Sequence, residues 1–121
     1  MDLSKYSLEE LFQAAVKAEI DSREAYSILS GITENAFLKE RLRFLAEEEK
    51  KHRDALENAF RKIRPDTVLN IPQRSPVPLP EIDVSDETTP MSQMLQQAMD
   101  AEIAARDFYI GFAEQVPDKK D

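Results

Sequence analysis

Two twelve-residue stretches in this chain carry a glutamate at the centre of an apolar helical stripe. Residues 15–26 read AVKAEIDSREAY and residues 98–109 read AMDAEIAARDFY. At an offset of 83, Ala15, Ala18, Glu19, Ile20, Arg23 and Tyr26 recur as Ala98, Ala101, Glu102, Ile103, Arg106 and Tyr109. The repeat restricts the fold to one that buries two related helices and finds a cationic partner for a carboxylate on each.

Punctuation divides the chain into three long helices. Ser7 and Glu10 have the spacing of a capping box, with Tyr6 and Leu11 placed as a hydrophobic staple. Helix one is therefore expected over about 7–31, with Gly31 as its stop. Helix two is expected over about 33–64, a stretch free of glycine and proline until Pro65. A link this short makes helices one and two antiparallel neighbours. Residues 65–89 hold Pro65, Pro72, Pro76, Pro78 and Pro80, and read as an extended crossover. Thr89 and Pro90 suit an N-cap and a first helical position, so helix three is expected over about 90–115, ahead of Pro117. Asp118–Asp121 reads as a frayed, charged tail. All 121 residues then form a single all-α domain.

Steps of three and four residues keep side chains on one helix face. In helix one they select Leu8, Phe12, Ala15, Glu19, Ser22, Tyr26 and Leu29. In helix two they select Leu38, Leu42, Leu45, Glu49, His52, Leu56, Ala59 and Ile63. In helix three they select Met91, Leu95, Ala98, Glu102, Ala105, Tyr109 and Phe112. The faces expected to be buried thus carry Glu19, Glu49, His52 and Glu102, each near mid-helix.

Buried, unpaired charges cost several kcal/mol each. The seams contain no Lys or Arg, so a bound metal cation is the expected counter-charge. Glu49 and His52 form Glu-x-x-His, whose i and i+3 side chains reach one ion from a helix. With no cysteine, thiolate zinc sites, iron–sulfur clusters and thiol catalysis are excluded from these residues. Carboxylates with one imidazole suit iron or manganese. Tyr26 and Tyr109, seven residues after the lone glutamates, are candidates to hold ligand carboxylates through their hydroxyls, or simple core aromatics. A net charge of −8 disfavours nucleic acid. No segment reaches the roughly 20 apolar residues of a membrane span, and the N-terminus lacks a secretory apolar region. A cytoplasmic location is the expectation.

The stretch LAEEEKKH at 45–52, following AEIDSREAY at 18–26, resembles rubrerythrin-type members of the ferritin-like di-iron superfamily. That resemblance implies an antiparallel four-helix bundle with a long crossover between helices two and three. It implies two irons, with manganese or zinc as alternatives. Glu19 and Glu102 would be terminal ligands, Glu49 would bridge, and His52 would cap one iron. It also implies an oxidoreductase acting on peroxide or dioxygen, with ferroxidation, iron storage or delivery as the alternative. A non-metal helical interaction module is the third reading.

Three departures bear on these expectations. The repeat offset would place a second Glu-x-x-His at 132 and 135, past residue 121, so these residues supply three of the four helices. A disordered or cleaved C-terminus, a second subunit, or a single-metal site would each account for this. Second, no cysteine-ligated rubredoxin module is present, so a separate electron-donor protein is expected. Third, some family members carry an additional glutamate where this chain has Ala105, with Ser22 as its counterpart. Three amphipathic helices leave an apolar groove, so a homodimer or higher homo-oligomer is expected unless a further helix fills it.

Overall fold

The computed structural model describes residues 2–80, 82–83 and 88–115. Residue 81 and residues 84–87 of the crossover, Pro117 and the charged tail lie outside the described residues. Three helices are present: α1 (Leu8–Ile32), α2 (Ala36–Ile63) and α3 (Met91–Gln115). No helix among the described residues is long and apolar enough to cross a membrane.

Local chemistry sets the ends of these helices. Ser7 and Glu10 close the capping box: the Glu10 N–H donates to Ser7 Oγ at 3.1 Å and the Ser7 N–H to Glu10 Oε1 at 2.9 Å. Gly31 does not stop α1. No glycine has positive φ, and the helix runs on to Ile32. Thr33 caps it in an extended conformation, its N–H donating to the Leu29 carbonyl. α2 begins at Ala36 because the Asn35 side chain accepts from the Leu38 N–H at 3.0 Å. At the far end, Arg61 and Lys62 favour the negative pole of the helix dipole, and Pro65 follows the cap. The Pro90 carbonyl accepts from the Gln93 and Met94 N–H groups, so α3 starts at Met91.

α1 is the central element. It packs along α2 and, less extensively, against α3, while α2 and α3 make no close backbone approach among the described residues. Two apolar clusters result. One gathers Leu11, Phe12, Ala15, Phe60, Phe108 and Phe112. Phe12 meets Phe60 and Phe112 edge-on, with centroids 5.3 Å and 4.9 Å apart. The other gathers Tyr26, Leu29, Leu42, Ala46, Met94 and Ala98. Glu19 lies between them along α1.

The crossover is part of this packing. Val77 is fully buried, Leu69 and Leu79 pack on the first cluster, and Ile82 packs on the second. Gln13 Nε2 donates to the Asn70 carbonyl at 2.8 Å, and the Asp83 N–H donates to Gln97 Oε1 at 2.9 Å. Its prolines narrow the unfolded ensemble and so reduce the entropy cost of ordering a long segment.

Phe60 is 1% exposed and packs edge-on against Phe12 of α1 within the first cluster. Phe60→Ala is expected to cost about 3–5 kcal/mol. Chemical denaturation checks this: the midpoint should fall sharply, and a shift below about 1 kcal/mol would show that the ring is not central to the core.

Candidate metal centre

Between the two apolar clusters, α1 and α2 bring Glu19, Glu49 and His52 together. Their ligand atoms all lie within 4.8 Å of one another. His52 Nδ1 is 3.5 Å from Glu19 Oε2 and 3.6 Å from Glu49 Oε2. Donors that share one ion at about 2.0–2.2 Å can be no more than about 4.4 Å apart. Both imidazole–carboxylate separations satisfy that limit.

Burial divides the four candidates. Glu19 and Glu49 are 4% and 6% exposed. The His52 side chain is 56% exposed, and Glu102 is exposed as well. The expectation that all four sit on buried faces therefore fails for two of them. The reason is the gap between α2 and α3, which leaves a groove along α1. Glu19, Glu49, His52 and Glu102 all line this groove, with Ala105 and Tyr109 beside them.

Glu102 is not in the close trio but is tied to the site by a hydroxyl. Tyr26 on α1 donates to Glu102 Oε1 on α3 at 2.6 Å. Tyr109 on α3 donates to Glu19 Oε1 on α1. Each tyrosine thus holds the glutamate of the other repeat. This reciprocity relates α1 and α3 as antiparallel elements about a local two-fold axis between Glu19 and Glu102. The seven-residue spacing identified the tyrosines as candidates, but not their exchange of partners, because exchange depends on helix direction.

Electrostatics reinforce the arrangement. Burial pushes the Glu19 carboxyl above its ordinary value, and the Glu102 charge adds to this. The Tyr109 hydrogen bond and the His52 imidazole oppose the shift. Burial, then the neighbouring carboxylates, raise both Tyr26 and Tyr109, so each phenol stays a neutral donor. Tyr109 occupies only one Glu19 oxygen. Glu19 Oε2 is buried with no hydrogen-bond partner among the described residues. A buried polar atom without a partner is costly, and a cation at the trio would satisfy it. The donor set therefore fits a metal ion.

Tyr109→Phe tests the holding role. It removes the bond to Glu19 and leaves the ring. Metal affinity is expected to fall about 10- to 100-fold with the helical content unchanged. Competition against a chelator of known affinity measures it. Unchanged affinity would assign Tyr109 to packing alone.

Comparison with known proteins agrees with this architecture. A family model described as Rubrerythrin matches residues 10–121. The solved structure of a hypothetical protein from Pyrococcus furiosus matches with a TM-score of 0.85 at 34% sequence identity. That match covers 96% of this chain and 75% of the other. No curated protein matches the chain. With its ferritin-like helical frame and its Glu/Glu/His cluster, the chain belongs to the rubrerythrin family.

Proposed function

We propose that this is a non-haem di-iron protein that acts as an oxidoreductase on peroxide or dioxygen. The observation that carries the reading is Glu19 Oε2, buried without a hydrogen-bond partner and 3.5 Å from His52 Nδ1, with Glu49 alongside. Glu19, Glu49 and His52 hold the metal, and Glu102 faces the same groove from α3. Iron supplies the Fe(II)/Fe(III) couple; manganese and zinc suit the same donors.

The chain's own residues do the rest. Tyr109 and Tyr26 orient Glu19 and Glu102 before the metal arrives, which lowers the cost of assembling the site. The clusters around Phe12 and Tyr26 keep water from two sides of Glu19. Ligation requires neutral imidazole and ionised carboxylates, so protons compete with the metal in acid.

A complete two-iron set needs a second Glu-x-x-His. The local two-fold that exchanges α1 with α3 carries α2 across the groove to the flank of α3. An α2-like helix in that place would present the second motif. A second copy of this chain offers one, and a homo-oligomer is the proposed assembly. With no cysteine in these residues, reducing equivalents would come from a separate electron-donor protein.

Anaerobic loading with ferrous iron, followed by repeated additions of hydrogen peroxide with a reductant, tests the reading. Bound iron and many peroxides consumed per iron support it. One oxidation per iron, with ferric iron accumulating, assigns the same site to ferroxidation and storage. No bound iron overturns both.

A further inference from the structure

Glu19 and Glu49 also form a wall of a second cavity. This is an open notch of about 290 Å³ between α1 and α2, lined by Arg23 and Ser27 from α1 and by Lys50 and Arg53 from α2. In a chain of net charge −8, three basic residues line this notch, together with Glu24 and the two site carboxylates. Arg53 Nε donates to Glu57 Oε1 at 2.6 Å, which steadies one edge of the guanidinium. Arg23 and Lys50 form no ion pair among the described residues. Helix periodicity alone assigns Lys50 and Arg53 to a solvated face. The α1–α2 register is what places them opposite Arg23.

We propose that this notch binds a tetrahedral oxyanion: phosphate, either free or carried as a phosphate monoester. Two guanidinium forks and an ammonium suit its geometry and charge, and Ser27 adds a hydroxyl donor. The volume lies below the roughly 300–1,000 Å³ of pockets that enclose whole drug-sized ligands. The notch therefore takes a phosphate group and leaves the rest of any larger molecule in solvent.

The second half of the inference rests on the metal reading. Without a metal, the charges of Glu19 and Glu49 oppose those of Arg23, Lys50 and Arg53. A cation held by those carboxylates compensates them and strengthens the notch for an anion. Such coupling is reciprocal, so the anion tightens metal binding by the same factor.

Sulfate is the probe. It is titrated into the full chain against chloride at matched ionic strength, first metal-free and then loaded with redox-silent zinc. NMR of the arginine Nε–H groups follows binding. Saturable shifts are expected at Arg23 and Arg53, with a sulfate Kd about tenfold lower in the zinc-loaded protein. Arg23→Gln combined with Lys50→Gln should remove the shifts and retain zinc. Competition then separates the sources. Tighter binding of adenosine monophosphate than of inorganic phosphate identifies a monoester, and equal binding identifies free phosphate. No saturable response in either state overturns the site, as does a response that survives the double substitution. Weaker sulfate binding with zinc overturns the coupling. An intact sulfate response in a protein that binds no zinc supports the notch and overturns the metal reading instead.

Discussion

Glu49→Ala is expected to leave the helices standing and the protein unable to retain iron. Glu49 is buried on α2, one helical turn from His52, and shares the ligand cluster with Glu19. Removing it deletes one of three converging donors and one negative charge that offsets the cation. Loss of an outer partner costs about 10- to 100-fold in metal affinity, and loss of a direct ligand is expected to exceed that. Iron content after anaerobic loading and desalting reads the effect. Circular dichroism checks the fold, which should persist because the apolar clusters on either side of the site do not include Glu49. His52→Ala makes the complementary case. Its side chain is 56% exposed, so its loss should move stability by no more than about 0.5 kcal/mol while iron is lost as fully. Wild-type iron affinity in both variants would remove the trio from the metal site.

Most of the frame was legible in the sequence because its determinants are local. The Ser7–Glu10 box and the proline after α2 act within one turn of where they sit. Gly31 misled because a glycine marks a helix stop only when it adopts positive φ, and here Thr33 and Asn35 supply the caps two and four residues later. Periodicity brought Glu19 and Glu49 inward correctly. It could not report that the face bearing His52 and Glu102 borders an open groove, because a stripe shows which residues share a side and not what covers it. Packing of the crossover was also out of reach, since Val77 is buried in a cluster of helix residues far from it in sequence.

The duplication explains why the site has this form. One helix with a mid-seam glutamate and a tyrosine two turns on cannot bond the two to each other, because about 10 Å of helix separates them. Two such helices laid antiparallel bring each tyrosine to the other's glutamate, as Tyr26–Glu102 and Tyr109–Glu19 show. The Tyr109 pair leaves the second oxygen of Glu19 without a hydrogen-bond partner among the described residues, and that oxygen is the one beside His52 Nδ1. Fold and ligand orientation are thus set by the same pairing.

Glu19→Gln should reverse the order of stability between variant and wild type when metal is added. In the metal-free protein, burial raises the Glu19 carboxyl above its ordinary value of 4.5, so the folded state binds its proton more tightly than the unfolded state does. Between the ordinary value and the raised one the folded state carries more protons, and stability falls as pH rises through that window. Above it the folded protein holds a buried carboxylate with one unpartnered oxygen. Glutamine keeps the shape and the acceptor for Tyr109 and removes the charge. Its amide still lacks a second partner, which offsets part of the gain. A net rise of about 1 kcal/mol at neutral pH, or roughly 4 °C in Tm, is expected, with a flatter dependence on pH. Metal reverses the balance. A ligand at 100 times its Kd stabilises the wild type by about 2.7 kcal/mol, and the variant, short of an anionic donor, gains far less. Thermal melts of both proteins, with and without ferrous iron or zinc, give four values whose crossing is the signature. A variant less stable than wild type even without metal would mean that the Glu19 charge is satisfied by protein groups and has no need of a cation.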